Sequence, residues 1–411
     1  MYCLRPFLGP YPYLNLSIPE EFRSNLKPVD TLDKRTDGEI LDFLTKHVPV
    51  TSEKNCWTYW HAGLLSMLAW CQRNIISWVR LLGPCWTVRV LDSVPDSPNN
   101  ALTWIELELL PESFVNGTMD GPYTGSHSAD FLRSAALYSY GGVWMDVGCV
   151  LIQHLDKICW DNLEDPESSF TISVPWMCGQ VMANHFVAAR KVDPFIKRWH
   201  YLFIHFWHGR NNHSGIIESP LTTFVKDVKF EESIARGFKW DFKVDQITLV
   251  DNVGQVVAWL RLCMLKEPNG GFNGVEYWAN KVLLFDSLTE NWGAEHIVGF
   301  EGQKLFDVLA TKRDGDEEIE GWKIAYKATW RLLTKSSMQK ITHAKGFTAS
   351  PTLGMLLDMK EDEGKDIEHG TFAELLRHGS VYFEQTRDEI DYVKAKRPPP
   401  EVIIRKGLYE V

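Results

Sequence analysis

The chain of 411 residues lacks any long hydrophobic run, and no stretch approaches the roughly 20 apolar residues that a membrane-spanning helix needs. Residues 1–16 also lack the charged start and the unbroken apolar block of a secretory signal. The eight cysteines form no C-x-x-C pair and most lie in apolar runs, which favours reduced, buried thiols over a disulfide framework. We therefore expect a cytoplasmic protein without a transmembrane segment.

An excess of basic charge is also lacking: 43 Lys and Arg are outnumbered by 54 Asp and Glu, and the formal net charge is −11. A protein that holds nucleic acid usually presents a basic face to the phosphates, so we expect no nucleic-acid partner. The sequence contains no G-x-x-x-x-G-K-[ST], G-x-S-x-G or H-E-x-x-H string. What remains is an ordinary globular composition, 45% hydrophobic, with enough apolar material for a large core.

Three consecutive segments have the pattern of a βαβ unit. Residues 55–61 are short, aromatic and bounded by polar residues, as in a core strand. Residues 63–82 carry apolar side chains at helical spacing and end at Gly83-Pro84, and residues 86–91 indicate a second strand. Strand, helix and strand in this order predict a right-handed crossover between parallel strands.

A second helix and strand follow further along the chain. Residues 126–140 predict a helix capped by Ser126 or Ser128, and residues 143–152 predict an apolar strand broken only at Asp146 and Gly148. The alternation of strands and helices predicts an α/β fold with a mainly parallel sheet flanked by helices.

The chain divides, by composition, into three parts. We predict an N-terminal arm and helix over 1–50, a catalytic domain over 51–350 and a C-terminal extension over 351–411. Two acidic segments, 314–320 and 361–366, are expected to be solvated loops.

Three polar residues stand where chemistry is expected in this fold. Asp146 follows an apolar strand, and ligands of open α/β sheets bind beyond the carboxyl ends of strands. Asp130 and Arg133 are three residues apart and so share one face of a helix. They form either an intrahelical salt bridge of little consequence or a carboxylate and guanidinium that grip the hydroxyls or phosphates of a ligand. The residues alone leave both interpretations open.

A wider string favours the second interpretation. Asp130-Phe-Leu-Arg133, followed by Tyr140-Gly-Gly-Val-Trp-Met-Asp146, resembles the D-x-x-R…YGG-(I/V)-(Y/W)-x-D-x-D signature of sugar-nucleotide glycosyltransferases. These include the DXD-containing sugar-binding-region family, the large clostridial glucosylating toxins and, most similar, the capsular polysaccharide synthesis proteins with their fungal relatives. The resemblance is clear over residues 55–210 and implies a GT-A-like catalytic domain.

The resemblance also implies roles for individual residues. Asp130 and Arg133 match the helix pair that contacts the donor sugar, and Asp146 matches the first aspartate of D-x-D, which contacts the donor or a metal ion. Trp60, with Trp57 and Tyr59 near it, matches the aromatic position that stacks on the nucleobase. Asp146 and Asp130 are therefore the predicted catalytic residues, with Arg133, Trp57, Tyr59 and Trp60 in the donor site.

The family signature implies a divalent cation, manganese or magnesium, that stabilises charge on the leaving diphosphate. Its second aspartate is replaced here by Gly148, which removes an oxygen ligand of the kind that hard cations prefer. Asp146 with His343 would then hold the metal, and Lys345 the phosphate, because residues 342–346 faintly resemble a late His-containing element of related enzymes.

Together these features predict a glycosyltransferase of polysaccharide biosynthesis that moves a sugar from a nucleotide-sugar donor to a glycan or small-molecule acceptor. Two alternatives remain open at this point. Gly148 is also compatible with a relative that binds a nucleotide or glycan without turnover. The same fold could also serve acyl or aminoacyl transfer, because one fold hosts unrelated chemistries.

Overall fold

The computed structural model describes residues 16–31, 33–177, 179–227, 235, 241–342 and 346–411. The strands in this part of the chain are β1 (Leu26–Pro28), β2 (Asn55–Tyr59), β3 (Thr87–Leu91), β4 (Gly142–Met145), β5 (Cys149–Leu151), β6 (Ile172–Met177), β7 (Val181–Met182), β8 (Phe186–Ala189), β9 (Val282–Asp286), β10 (Met338–Lys340), β11 (Phe383–Gln385) and β12 (Tyr392–Val393).

The α-helices of the described residues range from single turns to 17 residues. They are α1 (Asp37–Leu44), α2 (Ala69–Leu82), α3 (Ala101–Trp104), α4 (Glu112–Val115), α5 (Thr124–Tyr140), α6 (Asp161–Glu164), α7 (Pro194–Phe206), α8 (Gln246–Asn252), α9 (Gly254–Met264), α10 (Gly274–Lys281), α11 (Ser287–Glu290), α12 (Glu295–Val298), α13 (Gly302–Ala310), α14 (Glu320–Lys335), α15 (Leu353–Leu357) and α16 (Phe372–Tyr382).

The central sheet has the strand order β12-β9-β6-β8-β4-β2-β3, with β7 paired to β6. The pairs β2–β3, β2–β4 and β6–β9 are parallel, whereas β8 runs antiparallel to both β4 and β6. Strands β2, β3, β4, β6 and β9 therefore share one direction. The predicted α/β class with a mainly parallel sheet is confirmed, and so is the βαβ unit made by β2, α2 and β3.

Successive residues of the central strands face two different hydrophobic clusters. Val143 and Met145 of β4 belong to one cluster, and Trp144 between them belongs to the other. Cys56 and Trp57 of β2 are divided in the same way. Since neighbouring side chains of a strand point to opposite faces, the sheet lies between these two clusters and is covered on both sides.

Three boundaries differ from the sequence-based expectation. The apolar segment 143–152 forms two strands, because β4 joins the central sheet while β5 pairs antiparallel with β10 in a separate two-stranded sheet. Helix α5 begins at Thr124 without a side-chain cap, so the predicted capping by Ser126 or Ser128 is wrong. The segment 63–82 begins with a short 3₁₀ turn at Leu64–Ser66 before α2 starts.

Both ends of the described chain pack into the fold. Strand β1 pairs with β11, and β12 pairs with β9 at the edge of the central sheet. Phe372, Leu375 and Leu376 of α16 belong to the same cluster as α2. The boundaries predicted at 50 and 350 stay a prediction, and the flanking segments contribute to the core of the middle one.

Among the described residues no single helix has the length and apolarity that crossing a bilayer requires. Helices α8 and α9 meet the criterion only as a pair, and they are bent by 83° relative to each other. The six described cysteines are free, and five of them are buried (Cys56, Cys71, Cys149, Cys159 and Cys263).

Candidate active site

The double glycine at the end of α5 determines how the chain enters β4 and therefore where Asp146 lies. Gly141 and Gly142 both have positive φ angles, of 70° and 106°. A Cβ on Gly142 would stand 2.3 Å from the carbonyl oxygen of Asn55, and one on Gly141 would stand 2.7 Å from Glu53 Oε2. Only glycine allows the chain to leave the helix and enter β4 so close to β2. This turn brings α5 and the end of β4 together.

Asp146 lies immediately after β4 and is held on three sides. Its backbone N–H donates to the carbonyl of His185 at 2.9 Å. Its Oδ1 accepts from Arg133 Nη2 and from Trp144 Nε1, both at 3.1 Å. Its Oδ2 accepts from Lys340 Nζ at 3.0 Å. The carboxylate is thus fixed in position, yet 28% of the side chain remains exposed.

Arg133 joins the two aspartates that the sequence singled out. Its Nη1 donates to Asp130 Oδ1 and to Gln255 Oε1, while its Nη2 donates to Asp146. Its guanidinium also lies 5.4 Å above the centre of the Trp144 ring. The structure thus brings Asp130, Arg133 and Asp146 into direct contact, and their catalytic and donor-binding roles stay predictions.

Two amides complete this network from distant elements. Asn184 Nδ2 donates to Asp130 Oδ1 at 3.2 Å and to Gln255 Oε1 at 3.1 Å. Gln255, in the first turn of α9, donates through Nε2 to the backbone carbonyl of Asp130 at 2.5 Å. We refer to Asp130, Arg133, Asp146 and Lys340 as the site cluster, with Asn184 and Gln255 bracing it.

The four charged residues of the site cluster differ in their access to solvent. The side chain of Asp146 is 28% exposed and that of Asp130 is 12% exposed. Those of Lys340 and Arg133 are 7% and 3% exposed. Asp146 is consequently the group that a ligand meets first, whereas Arg133 acts mainly by holding the two carboxylates.

Protonation states follow from this arrangement. Burial alone would raise the pKa of Asp146, but the charges of Lys340 and Arg133 outweigh it and hold that pKa well below its ordinary value. Burial, assisted by Lys340, lowers the pKa of His185 to about 3, so this imidazole is neutral at pH 7. Asp146 is therefore ionised at neutral pH and accepts hydrogen bonds.

The three predicted aromatic residues lie in different environments. Trp57 is fully buried, stacks on Tyr140 with 5.3 Å between ring centres, and donates through Nε1 to the carbonyl of Gly141. Tyr59 is 6% exposed, and its hydroxyl is bonded to Ser93. Trp60, at the end of β2, is only partly buried. Of the three, Trp60 keeps a face that could stack on a base, and Trp57 packs in the core.

Two other predicted residues, His343 and Lys345, lie outside the described part of the chain. Thr342, directly before them, is close to the site, since a Cβ on Gly148 would stand 2.2 Å from Thr342 Oγ1. On the other side, a Cβ on Gly346 would stand 3.0 Å from the hydroxyl of Tyr123. The metal and phosphate roles of His343 and Lys345 stay predictions.

The described residues of the site do not fit a divalent cation. They contain no group of three or more His, Cys, Asp or Glu side chains arranged to bind a metal ion. Both oxygens of Asp146 already accept from cationic side chains, at Oδ1 from Arg133 and at Oδ2 from Lys340. The position of the second signature aspartate is Gly148, where Thr342 fills the space that a side chain would need.

Two cavities lie beside the site rather than on it. Both are lined by Ile341 and Leu353. Neither is lined by Asp130, Arg133 or Asp146. The site cluster reaches solvent at the side chain of Asp146, at the end of β4.

The comparisons with known proteins agree with one another. Residues 14–244 match the sequence profile of the capsular polysaccharide synthesis protein family. A probable glycosyltransferase, FCK3, of Fusarium pseudograminearum is 48% identical over 97% of this chain and 100% of its own length. The O-glycosyltransferase braB of Annulohypoxylon truncatum is 39% identical over 92% of this chain and 91% of its own. The glycosyltransferase afumC of Aspergillus fumigatus is 36% identical over 92% of this chain and 96% of its own.

Proposed function

This chain belongs to the capsular polysaccharide synthesis protein family and is a glycosyltransferase, and on that premise we propose that it takes its sugar from a nucleoside diphosphate donor bound at Asp146. The observation that carries the proposal is the Asp146 carboxylate itself. It stands at the end of a central parallel strand, ionised, fixed by Arg133 and Lys340, and 28% exposed.

The residues of the site cluster are suited to different roles in donor binding. Asp146 and, less accessibly, Asp130 accept hydrogen bonds from hydroxyl groups of the donor, because both present carboxylate oxygens towards the end of β4. Arg133 fixes the position of one carboxylate relative to the other through its hydrogen bonds to both. Trp60 offers its partly buried ring to the nucleobase, and the parallel arrangement of β2, β3 and β4 supports a GT-A-like donor domain.

The acceptor atom that the relatives favour is a hydroxyl oxygen. The relative from Annulohypoxylon truncatum and a relative from Phomopsis amygdali, PaGT, are both named O-glycosyltransferases. The family name is that of capsular polysaccharide synthesis, which also supports a sugar hydroxyl as acceptor. The four fungal relatives are all named glycosyltransferases, so acyl or aminoacyl transfer has no support among them. The free, buried cysteines support placing the enzyme in the reducing cytoplasm.

The test is the turnover of the donor by Asp146→Asn. Release of nucleoside diphosphate from a panel of UDP- and GDP-linked hexoses, with water as acceptor, measures donor turnover without knowledge of the natural acceptor. We expect the variant to lose about 100- to 1,000-fold in kcat/KM, because the neutral amide no longer offers a charged acceptor at the reacting end of the donor.

The matched control is Asp42→Asn on the exposed face of α1, which should leave turnover unchanged. Circular dichroism and the thermal midpoint verify that both variants fold. Full turnover by a folded Asp146→Asn enzyme would contradict the proposal.

A further inference from the structure

Lys340 places its ammonium on Asp146, the signature aspartate that the family resemblance associates with a metal ion. Strand β10 pairs antiparallel with β5 so that Lys340 is opposite Cys149, one residue beyond Gly148. The backbone N–H of Lys340 donates to the carbonyl of Asn291 at 2.8 Å, which fixes the strand on its other side. From there Lys340 Nζ reaches Asp146 Oδ2 at 3.0 Å. The ammonium is thus placed by the backbone of the sheet.

The space that a second signature aspartate would need, at position 148, is occupied by the side chain of Thr342. A Cβ on Gly148 would stand 2.2 Å from Thr342 Oγ1 and 3.1 Å from Thr342 Cγ2, so an aspartate cannot be accommodated there without displacing Thr342. The Gly148 carbonyl accepts from the backbone N–H of Ile341 at 2.8 Å, directly after Lys340. Thr342, which fills this position, therefore lies just beyond the end of β10, two residues after Lys340.

A cation approaching Asp146 would meet two fixed positive charges. Arg133 Nη2 lies 3.1 Å from Oδ1 and Lys340 Nζ lies 3.0 Å from Oδ2. Repulsion between like charges is strong where water is largely excluded, and Lys340 is only 7% exposed. A divalent ion also requires several oxygen ligands, and Asp146 is the one carboxylate of the described site with appreciable exposure.

We propose, on the basis of the proposed function, that Lys340 supplies the positive charge that a divalent cation supplies in enzymes with a complete D-x-D signature, and that sugar transfer here needs no metal ion. Within the described part of the chain, Lys340 Nζ donates one hydrogen bond, to Asp146. An ammonium has three hydrogens, so two remain for the oxygens of a diphosphate.

The chemical step then balances without a metal. The bond between the sugar C1 and the diphosphate oxygen breaks, and its electron pair stays on the diphosphate. The acceptor oxygen forms the new bond to C1, and the proton of the acceptor hydroxyl passes to solvent. Lys340 stabilises the charge that develops on the leaving diphosphate, and Arg133 adds to the positive field from behind Asp146.

The first measurement uses the unmodified full chain. Hydrolysis of the best UDP- or GDP-linked hexose is followed in excess EDTA and again with added Mn²⁺ or Mg²⁺. We expect the rates to agree within about twofold, because no catalytic charge comes from the ion. A loss of about tenfold or more in EDTA that Mn²⁺ restores would overturn the inference and leave the proposed function standing. An absence of hydrolysis of every donor in both conditions would instead overturn the proposed function.

The second measurement uses variants at Lys340. Lys340→Ala should lower kcat by about 100-fold or more in EDTA, and Lys340→Arg should retain part of the activity because it keeps the charge. The control is Lys304→Ala, which removes an exposed lysine paired with Glu301 and should change nothing. Unchanged kcat in a folded Lys340→Ala enzyme would overturn the inference.

Discussion

Two clusters of paired charges in this enzyme differ in how far the central carboxylate is exposed to solvent. The closed cluster consists of Arg73, Asp366 and Arg377. Asp366 Oδ1 accepts from Arg73, and its Oδ2 accepts from both Arg73 and Arg377. The side chains of Asp366 and Arg377 are 7% and 3% exposed. In the site cluster, by contrast, Asp146 is 28% exposed and Lys340 keeps hydrogens to donate.

The two clusters are neighbours, which makes the contrast informative. Asn74 accepts from Arg377 through Oδ1 and donates through Nδ2 to the carbonyl of Val147 at 2.6 Å, one residue after Asp146. The closed cluster thus braces the strand end that carries the site. A saturated, buried ion pair serves stability, whereas a fixed carboxylate with an open side is suited to a ligand.

The largest expected difference between the clusters appears on comparing Asp366→Asn with Asp146→Asn. Removing the Asp366 charge leaves two buried guanidinium groups without their carboxylate, so we expect a loss of about 3–5 kcal/mol in the free energy of unfolding. Asp146→Asn should cost less than this, because the Asp146 carboxylate is partly exposed and Arg133 keeps Asp130 as a partner. Urea denaturation followed by circular dichroism measures both values.

Donor turnover should show the reverse order, with the larger loss in Asp146→Asn and little loss in Asp366→Asn. Folded Asp366→Asn at low temperature should hydrolyse the donor at the unmodified rate, whereas Asp146→Asn should not. If Asp366→Asn impaired turnover as strongly as Asp146→Asn did, the division between a structural and a functional cluster would be wrong.

A smaller effect is expected at Gly148, two residues after Asp146. Gly148→Ala should destabilise the enzyme by about 1–3 kcal/mol, because its Cβ would clash with Thr342. Thr342→Ala removes the obstructing atoms, so the double variant should recover most of this loss. A double-mutant cycle in urea tests the coupling, and simple additivity of the two changes would contradict the close contact.

The smallest expected effect concerns acid stability. Burial raises the pKa of Asp366, but Arg377 and Arg73 outweigh it and lower that pKa below its ordinary value. The unfolded chain therefore binds a proton at higher pH than the folded chain does. The stabilisation is present above the unfolded pKa of Asp and is lost as pH falls through the folded value. Asp366→Asn should make the free energy of unfolding fall less steeply between about pH 5 and pH 2. An unchanged pH dependence in this range would contradict the ion pairing of Asp366 with Arg73 and Arg377.

Local patterns predicted much of this structure. The strands β2 and β3 and the helix between them follow from apolar periodicity and from the Gly83-Pro84 stop. Asp130, Arg133 and Asp146 were predicted to converge because a helix face and a strand end meet across a short connection. Each of these inferences depends on contacts between elements that are close in sequence.

The residues that escaped prediction come from distant parts of the chain. Lys340 is 194 positions from its partner Asp146, and Gln255 is 122 positions from Arg133. No local pattern marks either residue, although Lys340 lies just before the 342–346 segment that the sequence did single out. Asp366 was expected on a solvated acidic loop, and this was wrong because its buried arginine partners are up to 293 positions away.

The most direct test of a metal-free donor site at Asp146 and Lys340 is a crystal structure of the full enzyme soaked with UDP or GDP in the presence of EDTA. We expect the diphosphate to lie within hydrogen-bond distance of Lys340 Nζ, beside Asp146 and without a metal ion. A nucleotide bound away from the site cluster, for example in the cavity lined by Asp366 and Arg377, would contradict this assignment.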